Sequence, residues 1–202
     1  MGTQLNILSF LPHHGSSISG GERSFVEILK RWAKWGNHIH IVTTKEGSSL
    51  LERQGLNFIP QVYDFPVLMP AFSWYWCIER TIRIIPNKRF DFVYCNEPFT
   101  SVVPAFAAKS KTKAPVVIVF KLLEPHESNF ISCYKNYRLN VKRTMLSSAM
   151  DSALILLRNM LAKRADLLLI VSSYYRELLE NIDIDPRRIY TCLLYTSPSP
   201  RD

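Results

Sequence analysis

The chain predicts an α/β domain built on a doubly wound, mostly parallel sheet, and three observations carry that reading. Short apolar runs alternate with amphipathic ones along the sequence. Several runs, among them Val116–Phe120 and residues 167–171, are apolar at every position, the pattern of strands covered on both faces. The first 43 residues already complete a strand, loop, helix and strand, which is a βαβ unit.

Residues 5–11 form a short, mostly apolar run stopped by Pro12, read as a buried strand. A polar loop rich in Gly and Ser follows over residues 13–21. Residues 22–35 place Phe25, Ile28, Leu29 and Trp32 on one helical face, and Gly36-Asn37 ends that helix. Residues 39–43 are the second strand, 49–54 a short helix and 56–59 a weak strand. Residues 73–85 carry a helical apolar stripe with Glu79, Arg80 and Arg83 opposite. Asp91 introduces a strand over Phe92–Cys95, and residues 100–109 form a helix with Pro104 near its first turn. Val116–Phe120 is a central strand, 141–165 a long helix, and 167–171 another strand. Ser172 or Ser173 caps a helix to residue 181, Asp185-Pro186 makes a turn, and Ile189-Tyr190 opens a further strand. No linker interrupts the series, so one domain spans residues 1–191.

Residues 192–202 are abruptly different. One choice of codons for Cys-Leu-Leu-Tyr-Thr-Ser-Pro-Ser-Pro-Arg-Asp matches a transposon-end adapter used in sequencing libraries, read in frame. The segment is therefore expected to be an adapter-derived artefact and is excluded from the domain. Natural sequence is expected to continue beyond Thr191.

Composition narrows the classes. Hydrophobic residues at 47% and charged residues at 21% exclude disorder, and seven glycines without a repeat exclude a collagen-like chain. The longest uncharged, mostly apolar stretch is residues 65–78, broken by Pro66 and Pro70. A membrane span needs roughly 20 apolar residues. No secretory signal is evident, and Asn6 stands where a myristoylation motif wants Ser or Thr, so a cytoplasmic protein is expected. The net charge of +8 favours anionic partners: nucleotide phosphates, acidic lipids or nucleic acid. Cysteines 77, 95, 133 and 192 contain no C-x-x-C pair, which argues against a disulfide framework or a zinc site.

In such sheets ligands sit beyond the carboxyl ends of the strands. Those ends are followed by His13, His14 and the loop to Gly21; by Asn96 and Glu97; by Lys121, Glu124, His126 and Glu127; and by Ser172 and Ser173. Gly20-Gly21 before a helix is the most informative pair. Glycine lets backbone approach a phosphate, and a helix start offers free N–H groups and a positive dipole end. Neither the dinucleotide G-x-G-x-x-G nor the phosphate-loop G-x-x-x-x-G-K-[ST] motif is present.

With these residues in place, the stretch ILSFLPHHGSSISGGERSFVEILKRWAKWGNHIHIVTT resembles the opening of family 4 glycosyltransferases. Gly20, Gly21 and Glu22 match the family's Gly-Gly-acidic signature; Gly36 matches its Gly-His turn, with Asn37 in place of His. FDFVYCNEP, APVVIVF, KRADLLLIVSSYYRELL and IDPRRIY are similar to its Asp-x-Val strand, Pro-Val-Val strand, Arg-Ala-Asp strand and following turn. The resemblance implies the Rossmann-like, acceptor-side N-terminal half of a GT-B architecture. It implies sugar transfer from a nucleotide-sugar with retention, and no metal or other cofactor. The donor would be held mainly by a C-terminal domain absent from this chain, so the fragment alone is expected not to turn over. Gly20 and Gly21 would approach the donor diphosphate. Many members have a His just after the Pro-Val-Val strand, where this chain has Lys121. Lys121 or His126 could stabilise developing charge, and Glu124 or Glu127 could accept the acceptor's proton. His13, His14 and Glu97 are candidate acceptor or loop contacts. The acceptor would be a glycan or a lipid-linked sugar. A non-catalytic Rossmann-like binding module and a GT-B sugar-nucleotide epimerase are the alternatives.

Three other patterns are read as structural. His38-x-His40 shares a strand face but has no third ligand. Asp183-x-Asp185 lies in a loop, and Ser172 lacks the nucleophile elbow. Aromatic and basic residues mix between Phe65 and Arg89, a composition that would also suit peripheral contact with a membrane. The second basic set, Lys135, Arg138, Lys142 and Arg143, reads as a solvated face, and no nucleic-acid motif accompanies either.

Overall fold

A computed structural model of the chain describes residues 3–11, 20–53, 61–62, 82–96, 101–120, 156 and 159–192. The elements are β1 (Asn6–Leu11), α1 (Gly20–Lys34), β2 (His38–Thr43), α2 (Lys45–Arg53), β3 (Gln61–Val62), β4 (Phe92–Cys95), α3 (Val102–Thr112), β5 (Val116–Phe120), β6 (Leu167–Ile170), α4 (Tyr174–Glu180) and β7 (Ile189–Thr191). A 3-10 turn at Pro186–Arg188 precedes β7, and residues 159–164 are helical.

The seven strands form one sheet in the order β3-β2-β1-β4-β5-β6-β7, and every pair is parallel. The expected doubly wound fold is therefore what forms. The order reverses between β1 and β4: the chain first winds outward through β2 and β3, then returns to build β4 to β7 on the other side.

Side-chain alternation divides the core into two layers. On one face Ile7, Leu11, Ile39 and Ile41 meet Phe25, Val26 and Leu29 of α1 and Leu50 and Leu51 of α2. On the other, Leu8, Phe10, Val93, Ile118 and Leu168 meet Val102, Ala105 and Ala108 of α3, Ala162, and Leu179 of α4. Each fully buried Leu, Ile or Phe contributes roughly 1.5–3 kcal/mol through its apolar area. Phe25 stacks on Tyr94 at 5.7 Å, and Trp32 meets Tyr94 edge-on at 4.9 Å, so β4 is clamped onto α1 by three rings.

Several boundaries depart from expectation for local reasons. Helix α2 starts four residues before the expected Ser49, because the Thr44 hydroxyl accepts the Gly47 amide at 3.1 Å and caps it. Gly20 and Gly21 are the first residues of α1 rather than the loop before it. Ser173 occupies the N-cap of α4 with helical backbone and no side-chain capping bond, so it does not cap as expected. Helix α3 runs to Thr112 instead of residue 109 and ends on Lys113 with φ of 61°. The third strand is found at Gln61–Val62; the expected strand at 56–59 lies outside the described residues.

Candidate functional site

The site begins at the order reversal, where β1 and β4 end side by side and the chain leaves them in opposite directions. Two hydroxyls sew the strand ends together below it. Ser9 Oγ donates to the Tyr94 carbonyl at 2.9 Å, and Thr43 Oγ1 donates to the Leu11 carbonyl at 2.8 Å. Both side chains are fully buried, so these bonds are what make a polar group tolerable there.

Above them stands the first turn of α1. Asn96, the first residue past β4, is 6% exposed, and its Nδ2 donates to the Gly21 carbonyl at 3.5 Å. Ser24 Oγ donates to the same carbonyl at 3.0 Å. The sequence names both Gly21 and Asn96 as strand-end residues, and the fold brings them together across 75 positions. Nothing in the sequence marks Asn96 for this contact beyond its place after an apolar run.

Helix α1 presents its amino end here. The helix dipole makes this end the positive one. Glu22, in that first turn, complements the dipole. Burial pushes the Tyr94 phenol well above its usual range, so under this site the ring is a neutral, apolar support.

Gly20 and Gly21 thus open α1, and Asn96 ties that first turn to the end of β4. The other candidates, Lys121, Glu124, His126, Glu127, His13, His14 and Glu97, lie outside the described residues, as does most of the aromatic and basic segment from Phe65.

The patterns read as structural have structural surroundings. Asp185 Oδ1 accepts the Arg187 amide at 3.0 Å and caps the 3-10 turn; Asp183 pairs with Lys163 at 3.5 Å. His38 is exposed. The His40 ring meets Phe90 edge-on at 5.5 Å, and its Nε2 contacts Lys88 Nζ. Burial, then Lys88 and His38, hold the His40 imidazolium form down, and burial does the same to the Lys88 ammonium. Among the described residues no group of three or more His, Cys, Asp or Glu side chains could hold a metal ion. Among them, too, Cys95 is buried and Cys192 exposed, and no helix is long and apolar enough to cross a membrane.

Residues 18–192 match the sequence profile of Glycosyltransferase Family 4. Comparison with curated protein sequences gives no match. Among solved structures, the chain is similar to Anabaena HepE in complex with UDP-glucose: 14% identity, TM-score 0.58, covering 93% of this chain and 43% of that one. It is also similar to a UDP-N-acetylglucosamine 2-epimerase from Rickettsia bellii, with 11% identity, TM-score 0.63, and 94% and 44% of the two chains covered. At these identities the shared property is the fold, and the chain spans less than half the length of either protein.

Proposed function

The chain belongs to Glycosyltransferase Family 4, and on that premise we propose that it forms the acceptor-side half of an enzyme that moves a sugar from a nucleotide-sugar to an acceptor hydroxyl with retention. The observation that carries the reading is the position of Gly20-Gly21: the amino end of a 15-residue helix, at the switch point, braced by Asn96.

The chemistry follows from charge. Breaking the glycosidic bond leaves negative charge on a diphosphate. Amides and the dipole at a helix start stabilise such charge without reorganising, and glycine lets the phosphate come close. In this proposal no metal is required for that step. Lys121 or His126 would stabilise charge developing at the sugar, and Glu124 or Glu127 would take the acceptor's proton. His13, His14 and Glu97 would shape the acceptor side. A UDP-sugar is the first donor to try, since HepE is seen with UDP-glucose. The acceptor would be a glycan or a lipid-linked sugar, met in the cytoplasm or at a membrane surface.

The test is proton NMR of the complete gene product with UDP-sugars and saccharide acceptors. Transfer with retained anomeric configuration, lost on Gly21→Val, supports the reading. An isomerised UDP-sugar formed without acceptor makes the protein an epimerase instead. Absence of any turnover removes the proposal.

A further inference from the structure

The edge of the sheet opposite the candidate site carries a second surface. Because all strands are parallel, every helix-to-strand junction lies on this amino-terminal rim. Arg31 and Lys34 precede β2, Arg89 precedes β4, Lys113 precedes β5 and Arg164 precedes β6. All five are exposed. From β2 to β6 the row crosses four strand spacings, about 19 Å.

Cations at helix ends are ordinarily explained by the helix dipole. It covers Arg31 and Lys34 in the last turn of α1, whereas at two other junctions different cations take up the helix-end carbonyls. Lys111 Nζ donates to the Ile82 and Ile85 carbonyls at 2.6 and 2.7 Å. Arg188 donates to the Lys163 and Ala165 carbonyls, both at 2.8 Å. Nor do the rim's aspartates neutralise the row. Asp91 accepts the Asn6 amide, Asp166 is paired with Lys109, Asp183 with Lys163 and Asp185 with Arg187. Among the described residues, none of the five is joined to a carboxylate in an ion pair. Beside Arg31 and Lys34, Trp35 is 72% exposed at the end of α1.

We propose that this rim docks on an anionic membrane surface, with the basic row meeting lipid headgroups and Trp35 entering the interface. A row of exposed arginine and lysine outnumbering the acids beside it, Asp91 and Glu27, complements anionic lipid, and an exposed indole is a side chain that prefers the headgroup level. The exposed indole favours lipid over a purely ionic partner, and base stacking on it is the alternative that the RNA arm of the test separates. Docked this way, the carboxyl edge of the sheet faces away from the bilayer, so of the two acceptors proposed above this orientation favours the glycan over the lipid-linked sugar.

The test is cosedimentation of the 202-residue chain with vesicles of phosphatidylcholine containing about a third phosphatidylserine. Binding is expected at about 50 mM salt and is lost near 500 mM, where screening shortens to a few ångströms. The variant Arg89→Glu with Lys113→Glu lowers binding by about tenfold or more. Both residues are exposed, and a circular-dichroism melt checks that the fold is kept. Brominated lipid quenches the fluorescence of the chain, and the Trp35→Phe change removes that quenching while the other three of the four tryptophans remain. Equal binding to pure phosphatidylcholine, no binding at low salt, or binding unchanged in the charge variant overturns the proposal. So does binding to single-stranded RNA, but not to vesicles, that the same variant abolishes. None of these readouts requires sugar transfer, so they stand or fall apart from the enzymatic reading.

Discussion

At the scale of single residues, the signatures that mark the family do scaffold work. Asp91 Oδ2 accepts the Asn6 amide at 2.7 Å, Asp166 Oδ2 accepts the Val116 amide at 2.7 Å, and Asn37 Oδ1 accepts the Leu5 amide at 3.1 Å. In each case a residue just before one strand caps the start of its parallel neighbour, supplying the acceptor that the ladder lacks at its end. Lys109 Nζ also reaches Asp166 at 2.6 Å. Asp166→Ala is expected to destabilise the fold by about 1–2 kcal/mol, and Asp166→Asn, which keeps one acceptor, by about half of that, measured as shifts of the denaturant midpoint. His40 offers a test by pH. Burial, above all, holds its folded-state pKa below the ordinary imidazole value of 6.5, so the unfolded chain takes up this proton first. Stability from the neutral ring is complete above that value and is lost as pH falls toward the lower folded-state pKa. His40→Gln keeps an acceptor for Lys88 without the titration. The fall in stability as pH drops below about 6.5 should be shallower in the variant; equal slopes would show that His40 does not contribute to it.

At the scale of elements, helix ends decide how well the sequence can be read. The end of α1 was legible because Gly36 announces it. Gly36 has φ of 84°, its amide donates to the Ala33 carbonyl at 2.9 Å, and the Asn37 amide donates to Trp32 at 3.2 Å, which is a Schellman motif. The end of α3 was misread because the same left-handed position is filled by Lys113, whose φ is 61°. A lysine gives no stop signal, so the apolar pattern alone places the end at residue 109. The structure therefore predicts that Lys113→Gly relieves backbone strain and stabilises the protein by about 0.5–1 kcal/mol, read from the thermal midpoint. The start of α2 was hidden for a related reason: Thr44 looks like the last residue of a β-branched strand, yet its hydroxyl caps the helix. The strands themselves were legible, because burial on both faces forces apolar runs such as Val116–Phe120. For the candidate site, the glycines could be read from their type. Asn96 could not, because its role depends on a register between β1 and β4 that only the folded sheet creates.

At the scale of the whole molecule, the candidate site depends on β1 and β4 behaving as one body. Both lie at the centre of the sheet, with Ile7, Leu8, Ser9, Phe10, Val93 and Cys95 fully buried. The edges differ: β3 has two residues, and β7 has three with Tyr190 55% exposed. Native-state hydrogen exchange should separate these regions. Amides of β1, β4 and β5 are expected to open only with global unfolding and to share one free energy and one denaturant slope. Val62 and Tyr190 should exchange at least about 100-fold faster, with little denaturant dependence, because edges fray locally. Asn96→Ala should speed exchange of Phe25 and its helical neighbours, whose first turn it braces, while leaving β1 and β4 matched. If instead β1 and β4 open at different free energies, the switch point is not a rigid platform. The backbone amides of Gly20 and Gly21 would then have no fixed position from which to meet a diphosphate, and the catalytic reading would lose the observation that carries it.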